Sequence, residues 1–82
     1  MLTATNGEKA MCDGYLYCRR IQWNEEAKKR ETVITRYDLN AENEEEICRF
    51  DFDGDSLIVC GDRIYCFGDY GESAGKIGEY IA

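Results

Sequence analysis

The chain has 82 residues and a net charge of −7, with 44 % hydrophobic residues, ten aromatics, five cysteines and neither histidine nor proline. That composition excludes a disordered polymer, and the charge argues against direct binding to nucleic-acid backbones or anionic membranes, which would repel it. A domain this small buries only about 60–65 % of the surface its unfolded chain exposes, so it gains much from metals, disulfides or partner chains.

The first ten residues, MLTATNGEKA, contain no basic cluster and no long apolar run, so they do not read as a signal peptide. No wholly apolar run exceeds four residues, as at Leu57 to Cys60 and Ile64 to Phe67, too short for a membrane span. A complete chain of this kind is expected in the cytoplasm with its cysteines reduced, and their odd number speaks against a closed disulfide framework. Without histidine the commonest general base and zinc ligand is missing, and without proline strands run uninterrupted.

In chain order the local signals are β. Leu2 to Thr5 could add a strand at a sheet edge. Lys9–Ala10–Met11–Cys12 and Tyr15–Leu16–Tyr17–Cys18 flank Asp13–Gly14, a two-residue link of the kind that closes tight hairpins. Glu25 to Glu31 is the one stretch with helical features: Asn24 as a cap, and Glu25–Lys29 and Glu26–Arg30 at i,i+4. At about two turns such a helix is marginal, so a long hairpin loop is expected there. Thr32 to Leu39 favours a pleated strand, and Glu45 to Phe50 makes another after the polar link Asn40–Ala41–Glu42–Asn43. Ser56 to Cys60 and Arg63 to Phe67 form a second tight hairpin about Gly61–Asp62. A glycine-rich loop, Gly68 to Gly75, then leads to a last strand within Lys76 to Ala82.

These elements repeat. Residues 12 to 18 read CDGYLYC and residues 60 to 66 read CGDRIYC, placing Leu16 on Ile64, Tyr17 on Tyr65 and Cys18 on Cys66 at an offset of 48. Further on, Ile34–Thr35–Arg36–Tyr37 resembles Ile77–Gly78–Glu79–Tyr80 at an offset of 43, and the five missing residues fall in the intervening loop. Repeat one spans about residues 8–52 and repeat two about 56–82, within a single domain or fragment of 1–82.

A four-stranded antiparallel unit recurring every 40–50 or so residues has the period of a propeller blade. Asp13–Gly14–Tyr15–Leu16–Tyr17 followed by Ile34–Thr35–Arg36–Tyr37–Asp38–Leu39 resembles the YWTD-type β-propeller repeat and related bacterial propeller repeats. Those repeats carry the patterns D-G-x-[IL]-Y-[YW] and I-x-R-x-x-[LV]-D-G. The resemblance covers most of residues 8 to 82. Cys18 and Cys66 depart from it by replacing the usual aromatic, and no Asp-Gly follows Leu39. It implies an all-β fold of antiparallel sheets from two blade-like repeats joined by hairpins. Repeat one has all four strands and repeat two only three, so the sheet faces and one edge need covering. A longer propeller, chains completing a ring, or a small sandwich with Leu2 to Thr5 at its edge would each provide that cover.

Candidate chemistry is sparse. Asp51, Asp53 and Asp55 alternate as in a calcium loop, but the sixth position is Ser56 rather than glycine and the flanks are strands, so the expectation is a polar turn at Asp53–Gly54. Cys12, Cys18, Cys60 and Cys66 lie six apart within each pair, too far for the usual zinc knuckle, and are expected as buried thiols at equivalent core positions. Cys48 has no histidine to activate it as a nucleophile. Tyr17 and Tyr65 suit a repeated packing role, whereas Trp23 and Tyr70, at loop margins, are candidates for partner contact. The acidic run Glu42 to Glu46 and the basic run Lys28 to Arg30 read as solvated faces. No catalytic, cofactor or metal residue is assigned. The expected function is non-catalytic: an interaction or scaffold protein that binds a protein partner or self-associates through edge strands. The competing reading is an acidic inhibitor that occupies a basic nucleic-acid-binding groove on another protein.

Overall fold

The computed structural model describes residues 2–5, 9–69 and 71–81, with backbone alone at 2–5. Eight strands form it: β1 Leu2–Thr5, β2 Lys9–Cys12, β3 Tyr15–Asn24, β4 Lys29–Asp38, β5 Asn43–Phe50, β6 Ser56–Cys60, β7 Arg63–Phe67 and β8 Ile77–Ile81. A 3₁₀ turn, Gly71–Ser73, precedes β8. They make two antiparallel four-stranded sheets, ordered β2-β3-β4-β5 and β1-β6-β7-β8. The all-β antiparallel class is therefore as the sequence implies.

Both tight turns form where Gly and Asp permit them. Asp13 (φ 51°) and Gly14 (φ 83°) are both left-handed, the φ pattern of a type I′ turn. At the second turn Gly61 carries the positive φ (61°) and Asp62 does not, the pattern of type II′. In each case the strand twist matches the hairpin.

The expected long loop between β3 and β4 is absent. The ladder instead continues from Tyr15↔Asp38 to Asn24↔Lys29, so only residues 25–28 turn. Asn24 Oδ1 accepts from Ala27 N at 3.0 Å, and Lys28 takes the left-handed conformation (φ 55°). The capping role foreseen for Asn24 is fulfilled by a hairpin turn rather than a helix. Sequence pattern missed the outer half of this hairpin because Arg20, Gln22, Trp23, Lys29 and Arg30 are exposed there, leaving no apolar alternation to read. Backbone pairing, seeded by Thr32 to Tyr37, carries the polar segment along, with Asn24 Nδ2 donating to Glu31 Oε2 across the strands at 3.0 Å.

The two repeats keep one register. In repeat one Cys12 faces Tyr15, Leu16 faces Tyr37, Tyr17 faces Arg36 and Cys18 faces Thr35. In repeat two Cys60 faces Arg63, Ile64 faces Tyr80, Tyr65 faces Glu79 and Cys66 faces Gly78. The offsets of 48 and 43 both coincide with ladder positions. The buried face, however, is inverted. Repeat one turns Ala10, Cys12, Tyr17 and Ile34 inward, whereas repeat two turns Leu57, Val59, Ile64 and Cys66 inward. Because side chains alternate along a strand, each inward residue of one repeat has its counterpart pointing outward in the other.

This corrects two expectations. Cys12 and Cys66 are buried, but their equivalents are not: Cys60 is exposed and Cys18 half-buried. Tyr17 lies in the core while Tyr65 sits half-exposed on the outside. Equivalent positions thus have different environments, since the sheets pack one face against the opposite face.

The core lies between the sheets, where Ile34 and Tyr17 join Leu57, Val59 and Ile64. On β5 a bulge between the Ile34↔Cys48 and Thr35↔Glu46 pairs leaves Ile47 as the extra residue. Two adjacent residues, Ile47 and Cys48, can then both pack on the core. Phe50 fills a gap in the opposite sheet: a Cβ on Gly78 would lie 2.4 Å from its ring. The chain crosses between sheets through a buried linker. Thr32 Oγ1 donates to the Phe52 carbonyl and accepts from Gly54 N, both at 2.7 Å, and Arg19 Nη1 donates to the Gly54 carbonyl at 2.7 Å. Asp53–Gly54 is thus more than the polar turn expected, because Phe52 and Gly54 are buried.

β1 pairs with β6, from Leu2↔Cys60 to Thr5↔Leu57. The fourth strand of the second sheet therefore lies on the edge opposite to that of the first, where β5 flanks β4. Among the described residues, no strand covers the outer edge of β8.

Candidate interaction surface

The outward face of β6, β7 and β8 is apolar at its centre. Register places Ile58 beside Tyr65 and Phe67 beside Ile77, with Cys60 and Ile81 at one end. Ile77 is 66 % exposed and Ile81 54 %, while Ile58, Tyr65 and Phe67 are half-buried. Charge is confined to Arg63 and Glu79. The hydrogen bond to Tyr65, with Glu79 and Asp62 nearby, raises the Arg63 pKa above its ordinary value. β8 borders this face with its open edge, so side chains and backbone both present binding groups on one flank.

The outward face of the first sheet is more guarded. Val33 points away from the core yet is fully buried. Its cross-strand neighbours are Arg20 and Arg49, whose aliphatic stems can shield it while their charges reach water. Arg49 binds Glu46 in a bidentate pair at 2.7 and 2.9 Å, which keeps Glu46 below and Arg49 above their ordinary pKa values. Nearer the Asp13–Gly14 turn this face carries Met11, 52 % exposed, with Leu16 half-buried beside it.

At the far end of the long hairpin is an open groove of about 620 Å³, bordered by Trp23, Lys28, Arg30, Phe52, Ser73 and Lys76. Trp23, expected as a candidate for partner contact, is 52 % exposed here; Tyr70, the other such candidate, lies outside the described residues. The three aspartates of the linker do not converge. Asp51 pairs with Lys29 at 3.6 Å, Asp53 with Arg30 at 3.3 Å, and Asp55 Oδ2 accepts from Asp69 N at 2.8 Å. Among the described residues no set of three acidic or thiol ligands gathers where it could hold a metal.

The thiols read as packing groups. Burial pushes the Cys48 thiol up to about 12, with Cys66 and Glu46 reinforcing the shift, and burial also raises Cys66. Neither is a ready nucleophile. Of the acidic run, Glu42 lies in the turn before β5 and Glu44 to Glu46 on β5 itself, where Glu45 binds Arg36 at 2.6 Å and Glu46 binds Arg49, so basic neighbours already neutralise part of it. Arg36, raised chiefly by its Glu45 hydrogen bond, also stacks 4.4 Å over the Tyr15 ring.

No known protein family, curated protein or solved structure matches this chain. Among the described residues no helix is long and apolar enough to cross a membrane.

Proposed function

We propose that this protein is a non-catalytic interaction module, built from two propeller-blade-like repeats, that takes a strand of a partner chain along β8. The observation that supports this is the open edge of Ile77–Ile81, which adjoins an apolar face. An exposed edge offers unpaired N–H and C=O groups that an extended segment can satisfy, and flanking side chains add specificity. By the repeat relation, the place beside β8 is the one β5 occupies beside β4. The partner is thus a strand supplied from outside the described chain, by another protein or by a further copy. The competing reading, an acidic decoy for a basic groove, rests on Glu42 and Glu44 together with the overall charge of −7.

Amide hydrogen exchange across a series of protein and salt concentrations tests the proposal. Edge pairing predicts that amides within β8 gain protection as concentration rises, with little response to added salt. Exchange at β8 that stays fast at every concentration, with no added partner restoring protection, would refute it. Binding to basic partners that fades steeply with salt, and leaves β8 exchange unchanged, would favour the decoy.

A further inference from the structure

We infer that copies of this chain stack head to tail, the outward face of β6-β7-β8 in one copy covering the outward face of β2-β3-β4 in the next. The template for that contact is the molecule's own core. Inside, Ile34 and Tyr17 of repeat one share one buried cluster with Val59 and Ile64 of repeat two. The two repeats share one ladder register but bury opposite faces. The counterparts of Ile34 and Tyr17 are therefore Ile77 and Tyr65, on the outside of the second sheet. The counterparts of Val59 and Ile64 are Met11 and Leu16, on the outside of the first.

Every copy thus carries both halves of an interface that it has already built once internally. The chemistry corresponds at these four positions, while Lys9 stands where Leu57 does and Arg63 where Tyr15 does. Ile77 is 66 % exposed and Met11 52 %, so each is accessible to a second copy. A contact between different faces is heterologous, and such contacts close into a ring when the rotation per copy divides a full turn. Each copy supplies two sheets, and radial arrays close with about 4–8 sheets, so the ring would hold about two to four copies. The inference does not depend on strand pairing at β8. Stacking uses the sheet faces, whereas edge pairing uses backbone groups in the sheet plane.

The test uses the 82-residue chain under reducing conditions, with its mass followed by light scattering behind size exclusion. The monomer is 9.4 kDa. Wild type should reach a discrete multiple of that mass. Ile77→Arg blocks one face and Met11→Arg the other, so each alone should run as a monomer. Their equimolar mixture retains one intact pair of faces and should give a dimer of about twice the monomer mass and nothing larger. Both sites are exposed, so each variant should still unfold cooperatively, melting below wild type only by what assembly adds to wild type; should either fail to fold, Ile81→Arg or Leu16→Lys replaces it on the same face. A wild type that stays at 9.4 kDa at all concentrations overturns the inference. So does a mixture that remains monomeric, or an assembly abolished by Ile77→Arg but untouched by Met11→Arg, which would be a symmetric contact of one face with itself. An assembly that survives both substitutions while β8 amides are protected would sink the stacking and leave edge pairing standing.

Discussion

Replacing Gly54 by alanine should be among the most damaging single-methyl changes available in this protein. Gly54 is not in the left-handed region, so its requirement is space. An added Cβ would sit 2.1 Å from Cys66 Sγ and 3.1 Å from Thr32 Oγ1. Comfortable separation of heavy atoms is about 3.5–4.0 Å, so the overlap with sulfur is roughly 1.5 Å. Cys66 is fully buried, and the Gly54 backbone is held on both sides, by Thr32 at its N–H and by Arg19 at its carbonyl. Relief requires both repacking the core, at about 1–3 kcal/mol, and losing a buried hydrogen bond at the held Gly54 backbone, worth about 1 kcal/mol. The sum is about 2–4 kcal/mol, against a total of about 4–12 kcal/mol expected for 82 residues. Thermal unfolding followed by circular dichroism should show a fall of roughly 10–25 °C in Tm. Cys66→Ala removes the clashing sulfur, so the double variant should lose less stability than the two single losses added together. A Gly54→Ala protein that melts with wild type, or a double variant whose losses simply add, would refute this account of the linker.

Two further predictions follow from the thiols. Because the repeats bury opposite faces, iodoacetamide should label Cys60 first and Cys12 far more slowly in the Ile77→Arg variant, whose outward face stays uncovered, read by peptide mass spectrometry; equal rates there would contradict the inversion. The folded pKa of Cys48 is raised from 9.0 to about 12, so the neutral thiol's contribution is complete below pH 9 and is lost as pH rises toward 12. Denaturant titrations from pH 8 to 11 should therefore show stability falling more steeply in wild type than in Cys48→Ala; parallel slopes would place that thiol in water.

The sequence alone determined the hairpins, the all-β class and the repeat. Gly and Asp at residues 13–14 and 61–62, set between branched and aromatic runs, specify tight turns through local backbone preference, and no distant contact is needed to read them. The two offsets survive in the ladder register because turn geometry sets strand pairing directly. What the sequence did not determine was which face of each repeat goes inside. CDGYLYC and CGDRIYC look equivalent, and both faces of repeat two carry apolar residues, so alternation cannot choose between Ile58, Tyr65 and Phe67 on one side and Leu57, Val59 and Ile64 on the other. Only packing against Ile34 and Tyr17, residues far away in the chain, decides it. The same holds for Gly54 and Gly78, whose missing side chains matter because Cys66 and Phe50 fill the space. It holds too for β1, whose place beside β6 depends on an edge formed more than fifty residues later. Local chemistry sets turns and register; the orientation of two similar faces is a long-range choice that appears only when the sheets meet.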